Sequence, residues 1–405
     1  MHPRHLARAL LPAAALAAVL LPSATAVPAL PAVHRASVAP ELPLYVPAAN
    51  PEAHRQARAL SAAGRGREAD GITAMAATPH AVWLGDQTPA KAEAEARATA
   101  VDATRRQSLP VFVLYNVPGR DCSQYSGGGA TGSAAYRTWI DAVARGIGDH
   151  RALVVLEPDS LALLPRECPP AASTPGGAEE LARTRTAARY SEIEYAVRAL
   201  EGRPATDVYL DTGHATWHTV NTIVPRLRQA GIAGATGFAV NVSNYNTDAA
   251  GVWYAYLVSV CLAHTDAGGR TADCPDQWRP RAEAQSWIDD HARALDPARM
   301  KHFVTDTSRN GRGPWKAPAN TYGDPQEWCN PPGRGLGARP TTRTGYLLHD
   351  AKLWIKTPGE SDGSCLRGTA GPQDPARSLV DPKAGEWFPE QALELVRLAN
   401  PAIMR

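Results

Sequence analysis

Lysine is scarce in this chain, and so is any excess of charge. Only six of the 42 basic residues are Lys, and 40 acids leave a formal net charge of +2. A surface without a dominant sign has no electrostatic footprint for nucleic acid or an anionic membrane, so a neutral or small substrate is expected. The bias towards Arg, Ala, Pro and Gly reads as coding composition and carries no functional meaning. Long apolar runs are missing too. The longest, Ala9–Leu21, is shorter than the ~20 residues that span a bilayer. No C-x-x-C pair and no His cluster has zinc-ligand spacing, which argues against a structural metal. No G-x-G-x-x-G follows the first apolar run, which counts against a dinucleotide fold. Linkers, repeats and low-complexity tracts are absent as well, so a single domain over 43–405 is expected.

The N-terminus carries the marks of export. Arg4 and Arg8 precede the apolar run, and Ser23-Ala24-Thr25-Ala26 supplies small residues at a cleavage site. A signal peptide over 1–26 is expected, then a short Pro- and Ala-rich leader over 27–42. The six cysteines, Cys122, Cys168, Cys261, Cys274, Cys329 and Cys365, are an even number on an exported chain and read as three disulfides.

Seven short apolar runs end in polar residues: 81–86, 111–116, 153–159, 208–211, 238–244, 302–308 and 352–362. Helical stripes fill several gaps between them, as in Tyr136, Ile140, Val143 and Ile147, then Ile193, Val197 and Leu200, then Val220, Ile223, Val224 and Leu227. Continuous apolar strands alternating with helices mean a parallel sheet covered by helices. The expected fold is α/β, a distorted seven-stranded parallel β/α barrel with its site at the carboxyl ends of the strands. A doubly wound open sheet is the alternative.

"LVVLEPDSLALL" (153–164) shows how such an exit is written. The apolar run is the strand, and Glu157-Pro158-Asp159 carries it onto the rim, since proline cannot continue a central strand. Asp121, Asp159, Asp211 and Asp362 all stand beside Gly, Pro or both near such exits. Several carboxylates at one rim push their pKa values apart, so that one stays protonated while another is ionised. That suits acid–base hydrolysis of a glycosidic bond. The plainer alternative for any one of them is helix capping or pairing with Arg.

The motifs around these acids are specific. "YNVPGRDCSQYSGGGA" (115–130), "LEPDSLALL" (156–164), "VYLDTGHATW" (208–217), "NVSNYNT" (241–247), "FVTDTSRNGRGPW" (303–315), "WCNPPGRGLGARPTTRTG" (328–345) and "LWIKTPGESDG" (353–363) follow in this order. Together they resemble glycoside hydrolase family 6, the inverting cellulases. The resemblance implies a secreted endo-β-1,4-glucanase that needs no cofactor or metal and works as a monomer on a β-1,4-glucan chain. It makes Asp159 the general acid, Asp121 the residue that holds the acid's proton, and Asp362 the base, acting directly or through water. Asp211 becomes a further rim acid that aids binding and charge balance, Tyr115 the residue pressing on the distorted sugar, and Ser126 a holder of the water. Trp83, Trp217 and Trp328 are implied sugar platforms, whereas Trp139, Trp354 and Trp387 are expected in the core. Lys356, Glu360, His214 and Asn241 are candidates for sugar hydroxyls. The implied disulfides are Cys122–Cys168 and Cys329–Cys365, leaving Cys261 and Cys274 for each other. The stretch 251–299 reads as an insertion that could fold over the cleft. Short loops elsewhere favour an open cleft and internal cutting over a cellobiohydrolase tunnel. A mixed-linkage β-glucanase and an inactive glucan-binding protein are the remaining alternatives.

Overall fold

The computed structural model describes residues 42–168, 177–292 and 296–404. The expected signal peptide and, Leu42 apart, the leader lie outside the described residues. Two helices, α1 (Pro51–Ala62) and α2 (Gly66–Ala76), precede the sheet. The seven strands are β1 (Val82–Leu84), β2 (Val111–Leu114), β3 (Ala152–Leu156), β4 (Thr206–Asp211), β5 (Gly237–Val240), β6 (His302–Asp306) and β7 (His349–Leu353). All neighbours pair in parallel and in chain order. An order without reversal is that of a curled, barrel-like sheet and excludes the doubly wound alternative. Among the described residues no ladder joins β7 to β1. Instead the Ala81 N–H donates to the Trp354 carbonyl across the opening, at 3.0 Å.

The strands read as unbroken apolar runs because both faces are buried. Their period of two sends Phe112, Leu114, Val154, Leu156, Val208, Leu210, Phe238 and Val240 towards the helices. Val111, Val113, Leu153, Val155, Tyr209, Ala239 and Val304 fill the interior. The seventh strand departs from expectation. It begins at His349 and ends at Leu353, because the N–H groups of Ile355 and Lys356 just beyond it go to the Asp306 carboxylate and not to a strand.

The outer layer is built of α3 (Pro89–Arg105), α4 (Ser133–Ile147), α5 (Gly177–Glu201), α6 (Val220–Gln229) and α7 (Asp248–Asp266). Every member of the three apolar stripes read from sequence is buried there. After α8 (Arg281–Ala292), α9 (Pro389–Arg397) returns to pack with α1 and α2 around Trp354 and Trp387 in a separate core. Trp139, Trp354 and Trp387 are all buried, as expected.

The stretch 251–299 holds most of α7 and all of α8. Tyr254, Leu257, Val258 and Leu262 of α7 lie in the main core, so α7 is the ordinary crossover between β5 and β6. After it come a loop tied back by Cys261–Cys274 and then α8, whose Ala284 and Ile288 join the same core. The other disulfides join Cys122 to Cys168 and Cys329 to Cys365.

Candidate active site

A cleft of about 850 Å³ lies at the carboxyl ends of the strands. Its form starts with the backbone. Glu157 and Asp159, on either side of Pro158, both adopt left-handed conformations (φ 50° and 66°), which non-glycine residues rarely do. This double bend sends the two carboxyls to different tasks. Glu157 is fully buried and accepts the N–H groups of Asn116 (2.9 Å) and Val117 (2.9 Å), clamping the exit of β2. Burial lifts its pKa to about 7 in spite of those donors. Asp159 instead faces the cleft.

Asp159 is poised to hold a proton. Burial, then the charges of Asp211 and Asp121, push its pKa well above the usual carboxylate range, opposed by a hydrogen bond from Tyr115. Its backbone N–H donates to Asp211 Oδ2 at 2.9 Å, and the Gly213 N–H adds a second donor at 3.0 Å. Gly213 is left-handed (φ 71°), and a Cβ there would crowd Trp217 and Ala162, so glycine is required at this turn. Asp211 is itself buried, which raises its pKa to about 7. Asp211 is not among the cleft-lining residues and lies against the backbone of Asp159.

Asp362 is the opposite case. Its burial would raise the pKa, but the Arg309 guanidinium and the Lys356 ammonium outweigh it and hold the carboxyl below its ordinary value. Oδ2 accepts from Arg309 (2.8 Å), from the Asn330 N–H (3.0 Å) and from the Tyr245 hydroxyl (3.2 Å), while Lys356 Nζ stands 3.4 Å from Oδ1. Arg309 is fully buried, over the Tyr245 ring. Asp306, also buried, ties the neighbouring exits together by accepting the N–H groups of Ser243, Ser308, Ile355 and Lys356.

Asp121 lines the cleft with a left-handed backbone (φ 52°) and accepts the Ser126 N–H at 2.8 Å; burial raises its pKa. Arg120 locks this loop through the Ser126 and Tyr115 carbonyls and Asp86, with its guanidinium over the Tyr115 ring. Trp83, edge-on to Tyr115, is anchored by Nε1 on the Ile355 carbonyl (2.8 Å). His214 accepts the Thr216 N–H through Nδ1 and is pushed down to about 4 by burial, His218 and Lys316, so the ring is neutral with its proton on Nε2. Tyr115, Ser126, Trp83, Trp217, Trp328, His214, Lys356 and Glu360 all line the same cleft.

Asn241 does not. It is buried, its Nδ2 donates to the carbonyls of Asp306 (2.9 Å) and Asn246 (3.3 Å), and its Oδ1 accepts the Asn246 N–H. Its amide is spent on the backbone. Sequence reasoning also passed over Arg120, Glu157, Tyr245, Asp306, Arg309 and Trp315, although each stands inside or at the edge of a quoted motif. The question that would have found Arg309 is which cation neutralises a buried Asp362. Among the described residues, none from 251–299 lines the cleft; Lys383–Gly385, beyond β7, do.

A curled parallel sheet whose carboxyl-end rim gathers acids of opposed protonation and four tryptophans defines the class of α/β-barrel glycosidase folds. The family model for glycosyl hydrolases family 6 matches residues 40–399, and the chain belongs to that family. It is 37% identical to endoglucanase A of Cellulomonas fimi over 80% of this chain and 56% of the relative, so it spans little more than half that protein's length. It is 32% identical to a probable 1,4-β-D-glucan cellobiohydrolase C of Aspergillus fumigatus, over 82% of this chain and 71% of the relative. Among solved structures, the endoglucanase Cel6 of Mycobacterium tuberculosis, in complex with methyl-cellobiosyl-4-deoxy-4-thio-β-D-cellobioside, superposes with a TM-score of 0.63. That match has 33% identity and covers 88% of this chain and 97% of that one.

Proposed function

We propose that this protein is a secreted, monomeric endo-β-1,4-glucanase that cleaves internal glucosidic bonds with inversion. The observation that carries the reading is the opposed state of two carboxyls in one cleft: Asp159 holds its proton and Asp362 is kept ionised. Asp159 donates its proton to the glycosidic oxygen as the bond to the anomeric carbon breaks. Water attacks that carbon from the opposite face, which gives inversion. A carboxylate held down by Arg309 and Lys356 is a weak proton acceptor. With Oδ2 already filled by three donors, Asp362 takes the water's proton through an intervening water and stabilises the developing positive charge by its own charge. Asp121 steadies the proton on Asp159, Tyr115 presses on the distorted sugar, and Ser126 helps to hold the water. Trp83, Trp217 and Trp328 stack on glucose rings, while His214, Lys356 and Glu360 meet hydroxyls. The export signal and the three disulfides support secretion.

Two observations favour a cellobiohydrolase as the second reading: the Aspergillus relative, and the approach of Lys383–Gly385 to the cleft from the segment beyond β7. Proton NMR of fresh product from a β-linked cello-oligosaccharide tests the chemistry that both readings share. The α-anomer is expected first, and the β-anomer first would mean retention and defeat the inverting mechanism.

A further inference from the structure

Trp315 is a cleft-lining aromatic that the proposed mechanism leaves unused. It lies on the long segment between β6 and β7, and its ring is half-buried. The guanidinium of Arg367 stands over the ring, 4.9 Å from its centroid, and Tyr322 packs at 6.2 Å. Arg367 is fully buried. It pairs with Asp374 through Nε (2.7 Å) and Nη2 (2.9 Å), and donates to the carbonyls of Pro325, Gln326 and Cys329. The guanidinium therefore does two things. It binds the segment beyond β7 to the segment before it, beside the Cys329–Cys365 disulfide, and it covers one face of the indole. Trp315 keeps part of its surface exposed and lines the cleft.

An indole fixed against a buried cation and partly exposed in a polar cleft is a preorganised stacking surface, because little ordering remains to be done when a ligand arrives. A polar rim lies beside it. Lys316 pairs with Glu327 at 2.6 Å, Glu327 also accepts the Ala317 N–H at 3.0 Å, and both side chains line the cleft. Donors and acceptors next to an aromatic plane match a pyranose ring, with its C–H face and equatorial hydroxyls.

We infer that Trp315, backed by Arg367, forms an additional glucosyl-binding subsite on the β6–β7 side of the cleft, one that longer β-glucan chains engage and short ones do not. This rests on the glucanase reading above. The subsite adds affinity for chain length and takes no part in bond cleavage.

The test measures kcat and KM of the full-length protein on cellotetraose and cellohexaose, for wild type, Trp315→Ala and Trp315→Phe. Trp315→Ala should lower kcat/KM on cellohexaose by about tenfold, the size of a lost aromatic stacking contact. The loss should fall mainly on KM and be clearly smaller on cellotetraose. Trp315→Phe should recover part of it. Equal losses on both substrates, or a loss confined to kcat, would mean that Trp315 only supports the loop. No loss on either would mean that no sugar binds there. Both outcomes overturn the inference while wild-type turnover leaves the glucanase reading standing. A wild type inert on both oligosaccharides would defeat that reading and this subsite with it.

Discussion

Asp159 and Asp362 are the same residue type in the same cleft, and their neighbours make them chemical opposites. Around Asp159 the nearby charges are acids, and they add to the effect of burial; around Asp362 they are Arg309 and Lys356, and they overcome it. Proton donation can therefore be isolated by mutation. Asp159→Ala should keep the fold and glucan binding. It should lose roughly 10²–10⁴-fold in kcat on unactivated cello-oligosaccharides, the usual worth of a general acid. Aryl glycosides with an acidic phenol need little protonation on leaving and should suffer much less. Kinetics on the two substrate classes check this, and equal losses would remove Asp159 from the role of acid. Asp211 shows the complementary case: an acid outside the cleft lining accepts the backbone N–H of Asp159 and so bears on its position.

At the scale of the element, the strand exits are held by buried carboxylates that bind backbone N–H groups of neighbouring exits. Glu157 clamps the exit of β2, Asp211 that of β3, and Asp306 those of β5 and β7. This construction leaves a signature in stability. Glu157 and Asp211 have folded pKa values of about 7, against ordinary values of 4.5 and 3.8. Between the ordinary values and about 7 the folded state binds more protons than the unfolded state, so stability falls as pH rises through that window. Asp362 works in the other direction. Its depressed pKa contributes stability above its ordinary value of 3.8 that is lost only in stronger acid. The melting temperature should accordingly be higher at pH 5 than at pH 7.5. Glu157→Gln keeps an acceptor oxygen but cannot ionise, and should reduce the difference. Thermal melts at the two pH values decide, and a wild type more stable at pH 7.5 would contradict the argument.

For the whole molecule, the question is whether a polymer can lie down anywhere along the cleft or must enter by its end. None of the described residues of 251–299 reaches the cleft, so the α7–α8 region does not supply a lid. The segment beyond β7 does approach, and it is firmly held: Ser361 and Gly385 bond through their backbones, and Asn330 donates to Asp381 at 2.9 Å. A wall fixed in this way narrows one side of the cleft but leaves the loop after β2 short. The expected behaviour on carboxymethyl cellulose is a steep fall in viscosity at low conversion to reducing ends. If viscosity barely falls while cellobiose accumulates as nearly the only product, the chain is an end-cutter.

The disulfide pairs came with the family resemblance and the bounds of β7 were missed, but the number and order of the strands, the apolar stripes of three helices, the core tryptophans and the placing of Asp121, Asp159 and Asp362 at one rim were legible in the sequence. These depend on local periodicity, on turn residues and on motifs contiguous in the chain. What the sequence left open is decided between residues far apart along it. Asp211 meets the backbone of Asp159 across 52 positions, and Arg309 reaches Asp362 across 53. Asn241 spends its amide on Asp306, 65 positions away, and Trp315 rests on an arginine from a different rim segment. A motif shows that an acid or an amide stands at a strand exit. Whether it faces the substrate or the backbone, and whether it holds a proton or a charge, depends on which groups the folded sheet brings beside it. Burial and Coulomb interactions act through space and not along the chain.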